Sequence, residues 1–210
     1  MSGLSRRLLQ LVAGLVLYGA SNALVILAAL GNDPWDVLHQ GLSRQTGVGI
    51  GPWVCIVGAL VLLLWIPLRQ RPGLGTLSNV VVVGLAAELT LHTVPAPHGE
   101  LARWGMLVAG VGLNGVATGA YIGARFGAGP RDGLMTGLAD RGLSVRVVRT
   151  GIEVGVLAVG AVLGGTVGVG TVLYAAAIGP LVHVLLPWFT VPAPSAAGSA
   201  GEPAPARANV

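Results

Sequence analysis

Arg131 and Asp132 stand side by side in GAGPRDGLMTGL, residues 127–138, and Arg149 and Glu153 follow one helical turn apart, in a chain of which only 10% is charged. A guanidinium holds a carboxylate or phosphate through a planar, two-pronged contact, and a neighbouring carboxylate can orient a ligand or carry a proton. Arg125 lies just upstream of this group. Ionisable residues in an apolar chain are costly, and they usually face the interior of a helix bundle and pair there.

A second stretch, GNDPWDVLHQGL at 31–42, repeats the plan: Gly31/Gly127, Pro34/Pro130, Asp36/Asp132, Leu38/Leu134 and Gly41/Gly137 are each 96 positions apart. Proline suits the first turn of a helix, and an acid two positions later can accept from that turn's free amides. Both stretches therefore predict the start of a short helix. Asp36 and Asp132 then have two compatible readings. One is capping; the other is a half-helix that ends inside the protein, where its dipole and free N–H groups hold an anionic group. Arg149/Glu153 likewise reads as an i,i+4 pair that neutralises itself for insertion, or as part of a binding site. The candidate ligand-binding residues are Arg125, Arg131, Asp132, Arg149, Glu153 and Asp36. The charges that only one copy carries are the better candidates, because the other copy folds without them.

The elements that position these residues are apolar. Mean hydropathy is +0.78, and six runs approach the roughly 20 residues needed to cross about 30 Å of hydrocarbon: 8–30, 48–68, 74–94, 104–126, 145–164 and 166–186. The proline-led segments, about 12 residues and polar in the first copy, are too short to cross. The repeat continues past them, with Gly73-Leu74-Gly75-Thr76 matching Gly168-Val169-Gly170-Thr171 at an offset of 95. Gly-x-Gly-Thr lacks the strand and lysine of a phosphate loop and reads as a helix start capped by Thr76 or Thr171. Each unit holds three crossings, an odd number, so the two copies sit in opposite orientations. The expected fold is an all-α polytopic membrane protein: six transmembrane helices in two inverted-topology three-helix repeats, about 8–94 and 104–188, each with a short proline-led re-entrant or interfacial helix. Together they form a membrane domain over 1–189.

The 34 glycines suit close helix packing where lipid offers no hydrophobic drive. Gly115, Gly119, Gly123 and Gly127 form one face, and Gly151/Gly155 and Gly160/Gly164 continue the pattern. Asn22, Ser78 and Asn79 read as interhelical hydrogen-bonding groups. Glu88 and His92 read as an end-of-helix pair.

Most arginines fall in loops on one side, with Arg44 and Arg103 opposite, so the positive-inside rule predicts cytoplasmic N- and C-termini. The net charge of +4 and pI near 10.2 do not point to nucleic acid, which requires a solvated basic face. The apolar run after Arg6 and Arg7 exceeds a signal-peptide core and has an internal counterpart, so it reads as a retained span. Residues 190–210, rich in Pro, Ala, Gly and Ser, read as a disordered cytoplasmic tail. The four histidines show no metal-ligand spacing, Cys55 is single, and no Gly-x-Ser-x-Gly elbow occurs, so neither a metal, another cofactor nor an enzyme is expected.

The runs LGNDPWDVLHQGLSRQTGVGIG, WIPLRQRPGLGTLSNVVVVGL, FGAGPRDGLMTGL and VRTGIEVGVLAVGAVLGGTVGVGT resemble the YczE branch of the YczE/YyaS/YitT-like bacterial integral membrane proteins, over about Leu11 to Leu186. The resemblance implies a multi-span protein of the cell membrane and lends no activity. The residues themselves predict a small-solute transporter or permease for an anionic or zwitterionic ligand, with the arginines as binders and Asp132 and Glu153 as orienting or proton-coupled partners. The alternative is a non-transporting accessory protein that recruits or regulates a partner complex. The lipid bilayer is a partner in either case; a homo-oligomer or a membrane partner stays open.

Overall fold

The computed structural model describes residues 3–191. The tail predicted to be disordered lies, beyond Val191, outside the described residues. Among the described residues are eight helices: α1 (Gly3–Ala28), α2 (Pro34–Thr46), α3 (Ile50–Leu68), α4 (Leu74–Thr93), α5 (Glu100–Gly123), α6 (Pro130–Ala139), α7 (Val145–Val162) and α8 (Val169–Phe189). Five of them, α1, α3, α4, α5 and α8, are long and apolar enough to cross a bilayer. The sixth expected span, α7, has the length but carries Arg146, Arg149 and Glu153.

The solvation pattern is that of a chain dissolved in lipid. Ser21, Asn22, Asn32, Asp36, His39 and Asn114 are buried, whereas Leu63, Leu85, Leu89, Val147 and Val172 are exposed. Hydrocarbon solvates the apolar side chains, while polar ones gain only by meeting one another inside.

α1 and α5 form the central pair and run antiparallel. Arg7, near the start of α1, donates to the carbonyls of Ala124 and Arg125 at the end of α5. Arg103, near the start of α5, donates to those of Ala28 and Ala29 at the end of α1. Arginine here satisfies helix-terminal carbonyls that have no intrahelical donor. In the middle of the bundle Asn114 Nδ2 donates to Ser21 Oγ (2.9 Å) and Asn22 Oδ1 (2.6 Å), and Tyr174 OH donates to Asn114 Oδ1 (2.9 Å), tying α1, α5 and α8 together. Interhelical bonds of this kind average about 0.6 kcal/mol and reach about 1.7. Asn114→Leu removes three of them and is expected to lower stability by ~2 kcal/mol, read as a fall in the thermal unfolding midpoint in detergent.

Three of the four glycines expected on one face form the α5–α8 seam, while Gly127 lies beyond α5 against Gly73 and Thr76. Gly115 lies on Leu181, Gly119 on Leu185 and Phe189, and Gly123 on Phe189. On α7 the pattern holds only in part: Gly160 packs on Val37 and Leu38 of α2, whereas a Cβ at Gly151 or Gly155 would meet open space among the described residues.

Each half grips the other. The backbone N–H of Gly75 donates to Phe126 O (2.9 Å), before α6, and that of Gly170 donates to Leu30 O (2.8 Å), before α2. Thr76 and Thr171 cap their helices as expected, accepting from Gly73 N and Gly168 N at 3.2 Å. The two Gly-x-Gly-Thr motifs therefore do more than start α4 and α8: they also hold the connectors that lead into the short helices. Both connectors turn through the same backbone shape, with φ of 52° at Ala29 and 57° at Arg125, and 117° at both Gly31 and Gly127.

Candidate functional site

At the expected rise of about 1.5 Å per residue, α2 and α6 are roughly 20 and 15 Å long, well short of a span. Their N-termini converge. Asp33 rather than Asp36 caps α2, accepting from Trp35 N (3.0 Å) and Asp36 N (3.4 Å). Asp36 is 1% exposed and is hydrogen-bonded through Oδ1 to His39 Nδ1 (3.0 Å). Capping by the acid two positions after the proline is thus corrected, because aspartate one residue before the proline reaches the same amides with a better geometry. At the start of α6 the equivalent position is Gly129, which has no side chain, and no side chain caps that helix. α2 and α6 meet α3 through Trp35, Leu134, Val57 and Val61, and Trp65 Nε1 donates to Pro130 O (3.0 Å).

Both N-termini open onto one cavity of about 460 Å³. Four of the six sequence-predicted residues line it: Arg131, Asp132, Arg149 and Glu153. Arg131 reaches across to the other short helix, with Nη1 3.6 Å from Asp33 Oδ1 and its guanidinium 5.1 Å from the centre of the Trp35 ring. Arg149 Nε donates to Glu153 Oε1 at 2.9 Å, so the i,i+4 pair forms, and it forms at the cavity wall. Asp132 accepts from Tyr121 OH through Oδ2 at 3.3 Å. Asp36 stands behind the wall, next to His39 and Asp33, which line it. Arg125 is not among the lining residues. It is exposed, and its carbonyl is held by Arg7 in the connector.

Three tyrosines escaped the sequence reading. Tyr18, Tyr121 and Tyr174 come from α1, α5 and α8, are the chain's entire complement, and all line the cavity. Tyr18 and Tyr121 meet edge to face with centroids 5.7 Å apart. The signal available was rarity: three phenols in so apolar a chain each need a polar neighbour when buried. Asp33 was legible too, since its counterpart is Gly129 and it is therefore another charge carried by one copy alone.

Glu88 plays a local part. Its Oε2 accepts from Gly51 N (2.7 Å) at the start of α3, and its Oε1 lies 3.6 Å from the exposed His92. Among the described residues no group of three or more His, Cys, Asp or Glu is placed to hold a metal ion.

The walls of the cavity are unequal. α3 packs closely on α4: Gly51 and Cys55 meet Gly84, and Gly58 meets Val80. The corresponding pair α7 and α8 stands apart, and a Cβ at Gly179, the counterpart of Gly84, would meet open space. α7 is held instead by α2 and α6, with Gly160 against Val37 and Leu38.

An all-helical bundle with an apolar exterior and a charged interior cavity is a multi-pass integral membrane protein. Over residues 5–187 the chain matches the family described as "Family of unknown function (DUF6198)", and it belongs to that family. It is 41% identical over 177 residues to an "Uncharacterized protein" of Haemophilus influenzae (84% of this chain, 81% of the relative). It is 34% identical over 178 residues to "Uncharacterized membrane protein YczE" of Bacillus subtilis (83% of each). It is 29% identical over 181 residues to "Uncharacterized protein YyaS" of the same organism (83% and 89%). No solved structure matches.

Proposed function

We propose that the chain is an inverted-topology duplication in which six helices, α7 included, cross the membrane with both termini cytoplasmic, and that it is a small-solute transporter or permease without catalytic activity. The observation that carries this reading is the single cavity at which the starts of α2 and α6 meet, packed shut along α3–α4 and parted along α7–α8. Antiparallel α1 and α5 support the inversion. In alternating access a central site is exposed to one side at a time by rearranging one repeat against the other. Two equivalent helix pairs in unequal states, flanking one cavity, are what one end of such a cycle requires. The cavity on the α7 side takes Arg149 and Glu153 out of hydrocarbon, and Arg146 sits in the first turn of α7, which is how a helix with three charges can span.

In this reading the second state has α7 packed on α8 as α3 is on α4, with Thr150 brought to Gly179 as Cys55 is to Gly84. Reconstituted protein is expected to move a small charged solute, and Thr150→Cys/Gly179→Cys in a Cys55→Ser background is expected to lose flux on oxidation and regain it on reduction. Solute flux that is indifferent to a formed Thr150→Cys/Gly179→Cys crosslink would overturn the closing of α7 on α8 as the transport step, and absence of flux across a broad panel would move the assignment to an accessory role with a membrane partner.

A further inference from the structure

The expectation of an anionic or zwitterionic ligand counted three arginines, Arg125, Arg131 and Arg149, against two acids. The cavity redraws that balance. Arg125 lies outside it and Asp33 inside, so its wall carries Asp33, Asp132 and Glu153 against Arg131 and Arg149. Both arginines are engaged, Arg131 with Asp33 and the Trp35 face, Arg149 with Glu153. Asp132 has no cationic group within ion-pair distance among the described residues. Its partner is a phenol, and it is exposed to the cavity. With Asp36 hydrogen-bonded to His39 behind the wall, three carboxylates face two guanidiniums in the cavity, and Asp132 is the carboxylate left without one.

We infer that the cavity takes a small organic amine with one net positive charge, and that Asp132 is its anchor. A charge enclosed away from water is stable only when it is paired and hydrogen-bonded. A monocation completes the pairing at Asp132 without breaking either existing ion pair. An anion would have to share an arginine with the carboxylate already paired to it and would add to the excess of carboxylates. The phenol rings of Tyr18, Tyr121 and Tyr174 suit an amine as well: their faces attract cations, and the volume of about 460 Å³ admits an amine the size of benzylamine.

This inference rests on the cavity being the ligand site of the proposed transporter, and it is tested by equilibrium binding, which does not depend on movement. Benzylamine and benzoate are matched in size and opposite in charge. For purified full-length protein in detergent at pH 8, where an ordinary imidazole is neutral, benzylamine is expected to bind measurably and benzoate not. Asp132→Asn is expected to weaken benzylamine by ~30-fold or more, and Asp132→Glu to restore much of it. Asp132→Asn/Glu153→Gln frees Arg149 and removes two negative charges, so benzoate is expected to bind that variant. Gel filtration and an unchanged thermal midpoint identify the variants that fold. Benzoate binding to the wild type, or benzylamine binding unaffected in folded Asp132→Asn, would overturn the inference. Benzylamine bound through Asp132 but never moved in proteoliposomes would leave the ligand assignment standing and remove only the transport reading.

Discussion

Gly31→Val is expected to leave little folded protein in detergent, the largest structural loss of any single substitution considered. Gly31 has φ of +117°, and a Cβ there would lie 2.6 Å from Gly168 N and 2.8 Å from Thr171 Oγ1. A β-branched residue is strained by a left-handed backbone, at about 1–3 kcal/mol, and overpacking against backbone adds about 1–3 kcal/mol more. The two costs fall on the same connector, which Gly170 N holds through Leu30 O, so a loss of ~4 kcal/mol or more is expected. Gly47→Val provides the control: that glycine also has positive φ, 75°, but a Cβ there meets open space. It is expected to show the backbone cost alone, and equal losses at the two positions would show that the contact with Gly168 contributes nothing.

Arg131→Gln is expected to have the second largest effect and to act on both stability and ligand binding. Asp33 is 4% exposed in the pair, and Arg131 Nη1 at 3.6 Å is its ionic partner. Removing one member of a buried pair leaves an uncompensated charge and typically costs about 3–5 kcal/mol. Asp33→Asn removes the charge but keeps a side-chain oxygen for Trp35 N and Asp36 N, and asparagine is as good a cap as aspartate. The double variant Arg131→Gln/Asp33→Asn is therefore expected to be more stable than Arg131→Gln alone, with a coupling of ~2 kcal/mol. Strict additivity in the thermal midpoints would mean that the two residues do not act as a pair.

Much of this architecture was legible because hydrocarbon and backbone geometry leave strong marks in sequence. Apolar runs located five spans and the length of α7, and proline one residue after an aspartate or glycine located the starts of α2 and α6. The recurrence of Gly31 and Gly127 reflects one backbone turn that only glycine adopts without strain, and it appears twice at the same φ. What could not be read was which side chain on a short helix faces which neighbour. Asp36 and Asp132 align in sequence, yet Asp36 turns to His39 behind the cavity and Asp132 turns into it, because Asp33 already occupies the first amides of α2 and Gly129 leaves those of α6 uncapped. Arg125, like Arg131, is a charge that only one copy carries, but it stands in the connector with a left-handed backbone and does not line the cavity. The tyrosines were hidden by distance, since Tyr18 and Tyr174 converge from opposite ends of the chain. Volume was hidden for the same reason: Gly133 receives the Trp65 ring, while at the corresponding contact Gly160 receives Val37.

The mutual grip between halves also sets a timetable for synthesis. Asn32 N and Gln40 Oε1 are bonded to Thr166 O and Thr166 N, and the latter contact spans 126 positions of chain. At about 5–20 residues per second, the ribosome delivers that partner on the order of ten seconds after α2 has left it. For that interval α2, with Asp36, His39 and the capping Asp33, has neither its berth on α7 nor its connector clamp, and the nascent first half waits in the insertion machinery as an unfinished object. A stop codon after α4 is therefore expected to yield a fragment that the cell degrades, and separately encoded halves to survive only when made together.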